Sequence, residues 1–374
     1  MNKRWRQLFS LILCLILVFT LAGCSNQDGD GKGSFEGEET FIFTDSTGRR
    51  VELPRHITRV ASGGPLANII LYSLKPEVLV GWSSSPPPTS KKYIAPAYRE
   101  LPEYGRFYSD AEDFNREALM ASDPEVIIDV GEWDEDYKLE LDSLQEQLGI
   151  PVILLGGNLE ENASTYRTLG QLLEVEERGE ELAAYCEQVL ADAQEKAAAL
   201  PVTERKRVYY GEGETGLSTI FSDSIHSQIY ELIGAEIVVE ADLAQVQRGG
   251  GSISMEQLMA LDPEVIMFVG GSIYETAGGD PTWAALSAIR NGNYYEIPIE
   301  PYNWLGRPPG PNRLIGVRWL GNLLYPELYD YDIVQEVKEF FRLFYRYELS
   351  DEEVAALLKH STLKAEKGRV DRID

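Results

Sequence analysis

The sequence predicts an α/β protein built as two lobes, each a parallel sheet covered by helices, joined by one long rigid α-helix with a ligand cleft between them. Three observations predict it. Short apolar strands alternate with amphipathic helical stretches, the pattern of a sheet buried on both faces, and they do so in two separate sets. The segment Glu117–Ile128 recurs as Glu256–Met267 with most positions identical, one copy in each half. Between the halves, residues 163–200 contain few helix breakers and stop at Pro201.

Taken in order, residues 1–23 read as a leader. Lys3, Arg4 and Arg6 give a positive start, Leu8–Leu21 is an apolar run, and Leu21-Ala22-Gly23 precedes Cys24. The run is shorter than the ~20 residues a helix needs to span a bilayer. The ending resembles a lipobox, which implies cleavage after Gly23, lipidation of Cys24 and a lipid anchor on the extracytoplasmic face of the cell membrane. An uncleaved anchor would leave the same domain outside the membrane. Residues 24–40, rich in Gly, Ser, Asp and Glu, have little to bury and form a flexible tether.

The N-terminal lobe, residues 41–162, opens on a hairpin: Phe41–Thr44, the turn Asp45–Gly48, and Arg49–Leu53. Strands follow at Arg59–Ala61, Val78–Trp82, Val126–Val130 and Val152–Leu155, with helical periodicity over Glu135–Leu148. In the repeated segment a short helix meets an Asp-Pro stop and then a buried strand. The helical connector, 163–200, sets Leu182, Tyr185, Cys186, Val189 and Leu190 at helical spacing. The C-terminal lobe, 201–360, supplies strands at Arg207–Tyr210, Glu236–Val239, Val265–Val269 and Tyr294–Ile297, then terminal helices over Asp332–Tyr347 and Ser350–Lys359. In the first of these, Val334, Val337, Phe340, Phe341, Phe344 and Tyr345 form an apolar stripe, read as packing on the C-terminal lobe or the connector.

Charge narrows the function. With 34 Lys and Arg against 61 Asp and Glu, the net charge of -27 opposes nucleic-acid binding and adsorption to anionic lipid, so an anionic ligand must meet local arginines. Of three cysteines, Cys14 lies in the leader and Cys186 sits among alanines as a small buried hydrophobe, so no disulfide framework forms in the mature domain. There is no Gly-x-Ser-x-Gly elbow, His-Glu-x-x-His motif or phosphate loop, which speaks against an enzyme. His56, His226 and His360 share no ligand-spaced motif, so no metal ion is held by the protein itself and no cofactor is expected. A surface adhesion lipoprotein would explain the anchor but not a cleft.

Open α/β sheets bind ligands beyond the C-terminal ends of their strands. Ser62 and Gly63 begin such a loop, whose backbone N–H groups lead into a helix and suit an anionic group. Trp82, Tyr108 beside Phe107, and Trp133 beside Glu132 adjoin other strand ends, although aromatics that end strands are core residues at least as often. The C-terminal half offers Tyr210, Arg248 and the stiff loop with Tyr302, Trp304, Arg307 and Arg313. His226 begins a helical pattern. Either it lies on the helix surface or it reaches the cleft as an axial ligand to haem.

The lipobox, the duplicated helix-Asp-Pro-Glu-strand segment, the long connector and the stretch Tyr302-Asn303-Trp304-Leu305-Gly306-Arg307-Pro308-Pro309 together resemble the periplasmic-binding-protein family that serves ABC importers of iron-siderophores, haem and cobalamin. The resemblance covers residues 41–358. It implies two Rossmann-like lobes on a rigid helix, a monomer, and a small-molecule metal chelate carried unchanged to an ABC permease dimer. It also implies that Trp304 and Arg307 fall where relatives place a cleft Trp and Arg. Glu117, in Asn115-Arg116-Glu117, and Glu256, in Ser254-Met255-Glu256, fall where relatives place permease-docking glutamates. The lesser alternative for either glutamate is an ordinary first-turn residue favoured by the helix dipole. Arg248, Arg307 and Arg313 suit an anionic iron(III)-siderophore, with cobalamin or haem as the alternative.

Overall fold

The computed structural model describes residues 39–107, 114–243, 245–247, 250–306 and 308–363, without the side chains of Gln245, Val246 and Gln247. Strand β1 (Thr40–Thr44) pairs antiparallel with β2 (Arg50–Pro54), Thr40 opposite Pro54. The buried Asp45 carboxylate shapes the turn between them by accepting from the N–H groups of Thr47 and Arg49, both at 3.0 Å. Arg49 in turn donates to the Val152 carbonyl at 2.9 Å, which fastens the hairpin to the lobe behind it.

That lobe holds β3 (Val60–Ser62), β4 (Leu79–Gly81), β5 (Val126–Gly131) and β6 (Val152–Gly156), all parallel in the order β4-β3-β5-β6. The strands are buried nearly throughout, as unbroken apolar runs require when helices cover both faces. Helix α1 (Pro65–Leu74) starts on a proline pre-set for the first turn. Helix α2 (Arg116–Ala121) is capped by Asn115, and α3 (Glu135–Leu148) by Asp134, which accepts from the Tyr137 N–H at 2.8 Å.

The helical connector expected over 163–200 contains two helices, α4 (Asn162–Leu172) and α5 (Glu176–Ala199), of which α5 is the long continuous one. The chain reverses at Leu173–Val175, where Glu174 takes a left-handed φ of 57°. A Cβ on Gly170 would stand 3.1 Å from the Gly179 Cα, so the two helices cross in near backbone contact there. Reversal lets both apolar faces bury against each other, an outcome that helix propensity alone does not reveal. The 24 residues of α5 span roughly 36 Å at 1.5 Å per residue and form the rigid link.

The second lobe repeats the first. β7 (Arg207–Gly211), β9 (Glu236–Ile237), β12 (Val265–Phe268) and β13 (Tyr294–Glu296) form a parallel sheet in the order β13-β12-β7-β9. Short strands β8 (Ser218–Thr219), β10 (Gln245–Gln247) and β11 (Gly250–Ser252) make an antiparallel patch beside it. Helix α6 (Gln228–Leu232) precedes α7 (Met255–Leu261), the counterpart of α2, with Ser254 as cap. The repeat extends to hydrogen bonds. Asp123 and Asp262 both take left-handed φ, 51° and 36°, ahead of their prolines. Glu125 accepts from the Arg59 N–H and Glu264 from the Arg207 N–H, each at 3.0 Å. The Arg59 guanidinium covers the carbonyls of Ser122 and Asp123, as Arg207 covers those of Leu261 and Asp262.

Helices α8 (Asn312–Leu324), α9 (Ile333–Tyr345) and α10 (Asp351–Leu357) follow. The α9 stripe packs on α5, through Phe344 and Tyr185, but also returns to the first lobe, where Phe341 meets Tyr93 edge-on at 4.9 Å and Tyr345 lies 6.4 Å from Tyr72. The expected partner for this stripe was therefore incomplete. No helix among the described residues is long and apolar enough to cross a membrane.

Candidate functional site

Where β3 and β5 end, Gly63 passes against Asp129: a Cβ on Gly63 would lie 2.5 Å from the Asp129 Cβ, so only glycine lets the loop donate its N–H to the Ile128 carbonyl at 2.8 Å. This is the floor of a cavity of about 1400 Å³. One wall is α3, which turns Asp136, Glu140, Ser143, Leu144 and Gln147 toward the space at the spacing of a single helix face. Phe107, Phe114 and Trp133 add aromatic surface, and Gly64 and Pro65 bring the start of α1. His226, Pro308 and Pro309 bound the cavity from the second lobe. The expected cleft therefore exists at the strand ends of the first lobe, with the second lobe along one side.

Its electrostatics are unusual. Asp129 is buried, accepts from the Val130 N–H at 2.8 Å and takes a hydrogen bond from the Tyr137 hydroxyl. Burial pushes its carboxyl up to about 6, against the lowering effect of those two bonds. Glu132, Asp136 and Glu140 line the cavity and form no hydrogen bond or ion pair among the described residues. Behind the cleft lies Arg313, fully buried in α8. Its Nη1 donates to the Ile225 carbonyl at 2.9 Å and to Gln228 at 3.1 Å, while Nε and Nη2 have no partner among the described residues. Burial lowers this guanidinium to about 10, partly offset by Glu160 and Glu132 of the first lobe.

Among the described candidates, Trp133 faces the cavity, at 40% exposure. Ser62, Gly63, Trp82, Tyr210, Tyr302, Trp304 and Arg313 lie inside the lobes, and the reason differs for each. Ser62 is fully buried, bonds to Asn68 and accepts from the Ser83 N–H at 3.1 Å. Trp82 sits in the core with its indole donating to the Tyr98 carbonyl at 2.9 Å. Trp304 is buried edge-on to Trp319 at 6.1 Å, its indole satisfied by the Glu300 carbonyl at 2.9 Å. Tyr210 is buried beside Asn303, and Tyr302 packs partly buried against the main core. Large rings at strand ends gain more from full burial than from lining an open cleft. Gly63 shapes the floor rather than its lining, and Arg313 is sequestered behind it. Tyr108, Arg248, Arg307 and Cys24 lie outside the described residues.

Sequence reasoning missed Asp129, Tyr137 and the α3 wall. A signal was present, because Asp129 is the one charged residue in the apolar run Val126–Val130. His226, for which the sequence leaves a helix surface and the cleft both open, belongs to a turn of 3₁₀ helix (Ile225–Ser227) on the cavity rim. Glu117 and Glu256 are exposed in the first turns of α2 and α7, at equivalent places in the two lobes.

The chain matches the family described as "Periplasmic binding protein" over residues 74–301. A search of the curated proteins finds no match. Among solved structures it is similar to an ABC transporter solute binding protein from Sulfurospirillum deleyianum, with 31% identity over 85% of this chain and 99% of that one and a TM-score of 0.77. A periplasmic solute binding protein from Veillonella parvula shares 24% identity over 86% of this chain and 98% of its own, with a TM-score of 0.71. The molybdate-binding MolA of Haemophilus influenzae shares the fold at 20% identity, 83% and 99% coverage and a TM-score of 0.65. Two lobes on a rigid helix, a cleft at the strand ends and these matches converge: the chain belongs to the periplasmic binding protein family, as a solute-binding protein of an ABC transporter.

Proposed function

We propose that the chain is an extracytoplasmic lipoprotein, tethered through Cys24, that captures a preassembled metal chelate of the iron(III)-siderophore type and hands it unchanged to an ABC permease dimer. The cavity carries this reading. At about 1400 Å³ it exceeds the roughly 300–1,000 Å³ of common small-molecule pockets, and Phe107, Phe114 and Trp133 offer apolar surface to a bulky cargo. Proteins of the same fold are described as binding molybdate, haem in Roseiflexus and a catecholate siderophore in Vibrio cholerae, so the wall of each cleft must set the choice. A chelated metal arrives with its coordination filled and asks only for shape and charge from the protein.

His226 on the rim supports haem as a second reading, because an imidazole there is placed to meet an open axial position. Docking falls to Glu117 and Glu256, one exposed carboxylate on each lobe, which would orient a monomeric carrier on a two-fold permease. Titration of the purified protein with ferric chelates and with haem, followed by tryptophan fluorescence, tests the reading. Trp133 should be quenched by one class. No response to either would remove the metal-chelate assignment.

A further inference from the structure

The cavity wall carries a charge pattern that bears on which chelate fits. Asp136 and Glu140 stand one turn apart on the same face of α3, a like-charge pair with no cation within hydrogen-bonding distance among the described residues. Glu132 and Asp134 extend the acidic surface from the end of β5, and Asp129 lies at the floor. Against these, the described lining supplies Arg106 and His226. Even counting Arg248 and Arg307 from the rest of the sequence, carboxylates outnumber guanidiniums. The aromatic faces add negative potential, since Trp133, Phe107 and Phe114 attract cations through their ring quadrupoles. Beyond the cleft, the net charge of -27 repels an approaching polyanion.

From this we infer that the cleft selects ferric chelates of neutral or positive net charge, with a pendant ammonium group received by the α3 wall. The inference rests on the metal-chelate reading above. Charge balance defines the class. Three hydroxamates bring three negative charges to iron(III) and leave a neutral core, which an ammonium arm makes cationic. Three catecholates bring six and leave a trianion, which this wall would repel. Of the arginines that the sequence offers an anionic cargo, Arg313 is buried behind the floor with Nη1 already engaged.

Isothermal titration calorimetry of the whole mature protein at low ionic strength tests it with three probes: ferrioxamine B, which carries an ammonium arm, its N-acetylated form, which does not, and ferric enterobactin, a tris-catecholate. Ferrioxamine B should bind at least about tenfold more tightly than the acetylated form, the scale of one charged hydrogen bond. Enterobactin should bind weakest, and salt should shrink the first ratio. In the double variant Asp136→Asn/Glu140→Gln, whose exposed side chains hold nothing else in place, the ratio between the two hydroxamates should fall toward one. Equal binding of the two hydroxamates, or preference for enterobactin, overturns the charge assignment while leaving the metal-chelate reading intact. Failure of all three probes, with haem also unbound, overturns that reading and this inference with it.

Discussion

The hydroxyl of Tyr137 donates a hydrogen bond to the carboxylate of Asp129, joining the wall helix of the cleft to the central strand of the first lobe at the point where cargo would rest. This single contact places a titratable group, otherwise enclosed by Gly63 and the strand, at the base of the cavity.

Burial raises the Asp129 carboxyl from 3.8 to about 6, so the unfolded chain gives up its proton first as pH climbs. Stability from the protonated form is complete below about 4 and lost as pH rises through 6, a difference of about 3 kcal/mol. Urea midpoints measured across that window should fall with rising pH more steeply in the wild type than in Asp129→Asn. Parallel curves would show that the carboxyl does not titrate in this way.

Trp304 and Trp133 should part company under mutation. Trp304→Ala removes a fully buried ring and should destabilise the fold by about 3–5 kcal/mol. Trp133→Ala, at the cavity wall, should leave the melting temperature within a few degrees while weakening cargo binding. Calorimetric melts beside binding titrations read both, and the reverse outcome would move the site to the 302–313 loop.

A methyl group on Gly63 would overlap Asp129 at 2.5 Å. Gly63→Ala should therefore cost about 1–3 kcal/mol, the usual scale of overpacking, and reshape the cleft floor. Chemical denaturation measures the loss, and an unchanged midpoint would mean that the loop gives way freely.

Reversing charge at Glu117 and Glu256 together, to lysine, should abolish uptake in cells while cargo affinity of the purified protein stays within about twofold, because electrostatic docking governs encounter with the permease. Normal uptake by the double variant would exclude these residues from docking.

Much of this molecule was legible because its signals are local. The eight described strands of the two parallel sheets follow from apolar runs, the helix Glu135–Leu148 from its periodicity, and the paired lobes from the Asp-Pro repeat, whose left-handed Asp123 and Asp262 give it a structural cause. What escaped depends on distant contacts. The reversal at Glu174 lacks glycine or proline and is driven by packing at Gly170 and Gly179. Nothing in the spacing of the α9 stripe tells that Phe341 crosses back to Tyr93. In the cleft, Trp133 could be picked out by its place after a strand, but so could Trp82 and Trp304, and only the fold shows which rings face inward. The stripe at Asp136 and Glu140 reads in sequence as an ordinary solvated helix face; its partner is the cavity.

Native mass spectrometry of the mature protein purified from its own host tests the central claim most directly. The account predicts a co-purifying mass with a metal isotope signature, lost when Trp133 and Tyr137 are both replaced by alanine. A protein that carries a metal-free small molecule, or one whose bound mass is untouched by those replacements, would contradict it.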